Sequence, residues 1–215
     1  WYSYISALIT LGRFHDAKVL LAQATAKGAK GSAFVDLNKQ IGALEGLFQS
    51  EIQRSKKFFE QGKFQEVIDT LQSLVKTIPN LVDPYIICGS AYDVLKNYDL
   101  AIKSYKRAIK IRPDYAEAYN SMGISLSAKG NFDGAIDSYK RAIKIKPDYV
   151  AAYNNMGIAL FDNGNFDGAI DSYKNAIKIM PDYVQAHNNL GNALRVKSDF
   201  DGAIDSYKRA LKINP

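Results

Sequence analysis

The sequence predicts an all-α solenoid of stacked helix-turn-helix repeats, and three observations predict it. The stretch Asp148–Pro181 matches Asp114–Pro147 when moved back by 34 residues, and Asp182–Pro215 when moved forward by the same step. Pro79, Pro113, Pro147, Pro181 and Pro215 fall at that constant spacing. Each period reads as two helices joined by a turn, the signature of a repeat array. Such an array evades the usual count of one or two domains for 215 residues, because each unit buries its face only against its neighbours.

The chain opens on a divergent helical pair, residues 1–28. Trp1, Tyr4, Ile5, Leu8, Ala17, Leu21 and Ala24 fit its core positions, and Gly12-Arg13-Phe14 matches the turn later written Gly164-Asn165-Phe166. Residues 29–47 are an insertion that starts a long connecting helix, with Ser32 as its expected cap. Phe34, Leu37, Ile41, Leu44, Leu47, Phe48 and Ile52 recur at three and four, which predicts one amphipathic helix from Ala33 to Gln61, bent near Gly42 and Gly46. An irregular repeat, 48–81, carries Glu51 and Arg54 where apolar residues usually stand. Four regular repeats follow, at 82–115, 116–149, 150–183 and 184–215.

Asp114, Asp148 and Asp182 each follow a proline and are expected to cap the first helix of a repeat. Asp114 with Glu117, and Asp182 with Gln185, have capping-box spacing. Asn97, Asn131, Asn165 and Asp199 precede the second helices, and Gly130 and Gly164 supply a left-handed residue between helices. Gly134, Gly168 and Gly202 fall inside the second helix, where glycine costs about 1 kcal/mol against alanine. No sequence reason accounts for them.

The apolar share is 47%, ordinary for a globular chain, and no run of about 18 apolar residues is present to span a membrane. The start, WYSYISALITLG, lacks the pattern of a signal peptide and lacks a methionine, so a fragment or processed product is expected. The sequence leaves location open and favours the cytoplasm. The single cysteine, Cys88, rules out an internal disulfide framework and stands at a core position. A net charge of +6 permits nucleic acid or acidic partners without demanding them.

Counting each repeat so that its proline is position 32, Tyr153 stands at 4, Met156 at 7, Gly157 at 8, Leu160 at 11, Ala169 at 20, Tyr173 at 24, Ala176 at 27 and Pro181 at 32. This run of small and large core positions resembles the tetratricopeptide repeat family. The resemblance implies a right-handed α-solenoid whose first helices line a concave surface, with positions 2, 5, 6, 9, 12 and 13 facing inward. Those positions hold polar residues the fold does not require: Asp83, Glu117, Asn120, Asn154, Asn155, Asp162, Asn188, Asn189, Asn192 and Arg195 among them.

Asparagine is a poor helix-interior residue, so its recurrence in three repeats asks for a reason. One reading is a row of carboxamides that reads the backbone of an extended peptide, since each offers a donor and an acceptor. The other is drift among duplicated copies. Asn155 and Asn189 resemble the asparagine ladder in the repeat arm of O-GlcNAc transferases, from which Ser121 departs. The groove does not resemble the carboxylate clamp of chaperone-binding members, which needs cations at positions 2, 5 and 6. Its acids favour a neutral or basic peptide instead.

No catalytic motif, phosphate loop or cofactor signature is present, so this segment is read as a non-enzyme without a cofactor. His15 and His187 stand in different repeats and offer no metal site. Cations on the second helices, such as Lys140, Arg141 and Lys144, fit a solvated surface matched to the helix dipole. They also leave open a contact with phosphates, although nucleic acid is disfavoured because no aromatic platform for single strands is present. The first function read from the sequence is therefore a protein-interaction scaffold. The alternatives are a substrate-recruiting arm of a larger transferase and anionic contact through the convex face. The last helix, Asp201–Ile213, carries an apolar face with nothing after it, which predicts end-to-end self-association or a longer parent chain.

Overall fold

The computed structural model describes residues 1–214; Pro215, the last of the periodic prolines, lies outside them. The described residues form twelve α-helices and no strand. They fall into two compact units, Trp1–Arg112 and Pro113–Pro215.

The first unit holds α1 (Tyr2–Thr10), α2 (Phe14–Ala26), α3 (Ser32–Glu60), α4 (Phe64–Thr77), α5 (Val82–Val94) and α6 (Tyr98–Ile111). The long amphipathic run folds as the single 29-residue α3, with Leu37, Ile41 and Ile52 turned inward. Gly31 rather than Ser32 is its N-cap, and no side chain caps it. Ile5, Leu8, Leu37, Ile41, Val67, Ile68, Leu71 and Ile78 belong to one continuous core. Trp1 and Tyr4, expected in that core, are 48% and 61% exposed.

The second unit holds α7 (Ala116–Ala128), α8 (Phe132–Ile145), α9 (Val150–Asp162), α10 (Phe166–Ile179), α11 (Val184–Val196) and α12 (Phe200–Ile213). Each helix packs on the next in chain order, and α7 meets α9 as α9 meets α11. That is an α-solenoid of three stacked hairpins. Each hairpin is locked by a close approach. A methyl group on Gly157 would lie 2.5 Å from the Tyr173 ring, and the Gly123–Tyr139 and Gly191–Tyr207 pairs repeat the arrangement. Bulky position 24 therefore requires bare position 8.

The turns follow from local chemistry. Gly130 and Gly164 adopt φ of +77° and +79° between their helices, while Lys96 and Ser198 hold the equivalent turns at +57° and +62°. Arg112, Lys146 and Met180, each preceding a proline, leave the helix for φ near −130° and ψ near 90°, because the proline ring clashes with a helical predecessor. Asp114, Asp148 and Asp182 do not cap. The N-caps are Tyr115, Tyr149 and Tyr183, without side-chain hydrogen bonds. In the two turns before α9 and α11 the tyrosine amide first closes back onto Lys146 or Met180, so the helix begins beyond the aspartate's reach.

Candidate functional site

The recurring asparagines of the second unit lie at adjacent positions on its first helices. Asn120 of α7 and Asn154 of α9 are 7% and 5% exposed. A helix can bury a carboxamide only with partners, since an unpaired one costs about 1–3 kcal/mol. Each finds one in the next hairpin: Asn155 Nδ2 donates to Asn120 Oδ1 at 3.1 Å, and Asn189 Nδ2 donates to Asn154 Oδ1 at 3.0 Å. The asparagines thus form a ladder that crosses from hairpin to hairpin. Asn120 and Asn154 lie in the interface between first helices, while Asn155 and Asn189 are half-buried. Asn188, the same position in the last repeat, is exposed and has no hydrogen-bond partner among the described residues.

Of the other candidates, Asn192 accepts a 2.7 Å hydrogen bond from the Tyr207 hydroxyl. Arg195 and Asp162 are exposed. Asp162 lies close enough to Tyr173 to help hold that phenol above its ordinary pKa, although burial is the larger cause. Glu117 sits 3.6 Å from the Lys146 amine, both half-exposed, which is worth little in stability. Asp83 belongs to the other unit. There it lines a cleft of about 690 Å³ together with Arg13, Lys110 and Arg112.

Sequence reasoning missed the tyrosine hydroxyls. The position-24 rings are packing groups, as read; Tyr139 is 1% exposed, and burial pushes its phenol up to about 12. Their hydroxyls nevertheless reach the polar side of the first helices, where Tyr105 donates to Asp93 at 2.8 Å much as Tyr207 donates to Asn192. The regular pairing of glycine at 8 with tyrosine at 24 was the available signal. Among the described residues no three His, Cys, Asp or Glu side chains gather as a metal site, and no helix is long and apolar enough to cross a membrane.

The TPR repeat family matches residues 95–130, 125–164 and 159–195, and the tetratricopeptide repeat family matches residues 184–215. The chain belongs to the tetratricopeptide repeat family. These matches run over both the ladder and the glycine–tyrosine pairs, so the geometry above is that of tetratricopeptide hairpins. Two crystal structures of MamA are similar to it. One is 29% identical with a TM-score of 0.70 and covers 74% of this chain and 93% of that one. The second is 28% identical with a TM-score of 0.71, covering 78% and 91%. A MamA structure from Desulfovibrio magneticus RS-1, 19% identical with a TM-score of 0.71 and covering 77% and 93%, shares the fold. No curated protein matches the chain. As a tetratricopeptide protein with such neighbours, it is a protein-interaction scaffold.

Proposed function

We propose that the second unit holds an extended peptide segment against α7, α9 and α11 and reads its backbone through carboxamides. The observation that carries this reading is the ladder. Asn155 and Asn189 each spend one N–H on the preceding hairpin, which fixes the side chain and leaves an N–H and an oxygen lone pair for a ligand. A carboxamide held in this way loses little rotamer freedom on binding. Asn188, Asn192 and Arg195 extend the polar row on α11. In this reading Asn120 and Asn154 are supports rather than contacts. Glu117 and Asp162 favour a neutral or basic peptide.

Binding to an arrayed peptide library tests the reading. Asn188→Ala, Asn192→Ala and Arg195→Ala together alter only exposed side chains, so the fold should persist. Hits of the wild type should weaken by about tenfold in that triple variant, at low and at high salt, as expected for truncated hydrogen bonds. Asn155→Ala with Asn189→Ala should weaken them too, because it removes the two carboxamides that carry the reading, and undiminished binding by both variants would sink the proposal. Removing Asn154 as well would blur the result, because its loss leaves Asn189 without an acceptor.

A further inference from the structure

The first unit carries a groove of about 520 Å³ over α5, walled by α4 and α6. Its floor is apolar, made by Val75, Cys88 and the rings of Tyr85 and Tyr92, and its α6 wall carries Lys103, Lys106, Arg107 and Lys110. Arg107 stacks over the Tyr85 ring at 5.9 Å, and the Tyr92 hydroxyl accepts from Gln72 Nε2 at 2.8 Å. None of the four cations has a carboxylate partner among the described residues. Asp69, whose charge helps raise the Tyr92 phenol after the larger effect of burial, lies outside the lining and accepts from Gln65 Nε2.

The other repeats serve as an internal control. Where α6 has Lys103, the following second helices have Asp137, Asp171 and Asp205. The two comparable hollows, of about 410 and 480 Å³, include Asp137 or Asp205 in their lining. Leu100 stands where Gly134, Gly168 and Gly202 stand, and Tyr92 where Leu126, Leu160 and Leu194 stand. Leu100 gains the helix propensity that a glycine lacks, but it gains little in burial and forgoes a cap. It is 37% exposed, and its helix lacks the side-chain cap bond that Asn131, Asn165 and Asp199 make to their glycines. The departures thus turn a mixed-charge hollow into a cationic groove with an exposed apolar lip.

We propose that this groove docks an acidic peptide segment anchored by one large apolar side chain. Lys103, Lys106 or Arg107, and Lys110 lie one helical turn apart along about 10 Å of α6, which alternate carboxylates of an extended segment can span. The floor is recessed, with Cys88 only 6% exposed, so it receives a side chain rather than inserting into a flat lipid surface.

The test uses the full chain and a fluorescein-labelled probe, a peptide with a central phenylalanine flanked by three glutamates on each side, titrated by anisotropy at physiological ionic strength. Leu100→Gly with Lys103→Asp rewrites the groove to the pattern of the other repeats. That variant should bind the probe at least about tenfold more weakly, because it removes the anchor lip and reverses a central charge. Lys140→Asp on α8 should leave the affinity unchanged. Several results would overturn the proposal: an unaltered affinity in the double variant, an equal loss in Lys140→Asp, or equal binding of a probe with serine at its centre. Lys103-dependent binding to phosphatidylserine vesicles with no binding to the probe would assign the groove to membranes and overturn it too. The triple variant of α11 should bind the probe like the wild type, so the two proposals fail separately.

Discussion

Single residues decide how tightly the hairpins close. Gly157 has no room for a methyl group, with Tyr173 Cε1 2.5 Å from where it would sit. Gly157→Ala should lower stability by about 1–3 kcal/mol through overpacking. Gly46→Ala on α3, where nothing lies within 4 Å, should instead stabilise by about 1 kcal/mol through helix propensity. Chemical denaturation followed by circular dichroism measures both; midpoints moving in the same direction would refute the close-packing account. The sequence placed both members of the glycine–tyrosine pair at their register positions, because each helix carries its own periodicity. It did not show that they touch, since the contact lies between helices. The asparagines were harder. Read one helix at a time they look either like ligand contacts or like drift. The reason for them in a helix interior is a partner 35 residues away, and no local pattern encodes that.

At the level of the element, the second helices explain a glycine that propensity alone could not. The cap side chains of Asn131, Asn165 and Asp199 accept from the amides of Gly134, Gly168 and Gly202, each at 3.0 Å. An added methyl group at Gly202 would stand 2.5 Å from the cap oxygen, and α6, with leucine at that position, has no such bond. Asn165→Ala should therefore cost about 1 kcal/mol, the usual worth of a cap, and Asn97→Ala only a few tenths. Thermal melts of the two variants check this, and equal shifts would contradict it. Residue type made the caps of the second helices legible. Asp114, Asp148 and Asp182 misled, because capping power depends on where the first helical amide lies, and the turns after Pro147 and Pro181 move it one residue on.

Across the whole molecule, the two units store their stability differently. The first has one continuous core of large aliphatic side chains, whereas the second has small separate clusters built largely from alanine and tyrosine. When each repeat is held only by its neighbours, opening proceeds locally. Hydrogen exchange should show α4 and the centre of α3 among the slowest amides, with protection in the second unit falling toward α12. There Phe200, Ile204 and Leu211 are 61%, 50% and 64% exposed. Uniform protection from α7 to α12 would refute this. The 34-residue period and the helical solenoid it implies were legible in the sequence. The contrast between cores was not, because it depends on how α1, α2 and α3 fold around one another, a divergent region with no internal copy to compare.

The asparagine ladder also makes the array modular in a strict sense. The hairpins that begin with α9 and α11 each carry both halves of the joint, Asn154 with Asn155 and Asn188 with Asn189, an acceptor position and then a donor position, so hairpins of this pattern can follow one another. Duplicating residues 150–183 would splice a new rung between existing ones without redesigning either flank. The polar row it adds would lengthen in whole steps, so the span of backbone such an array engages is a quantised property, set by gene duplication rather than by point mutation.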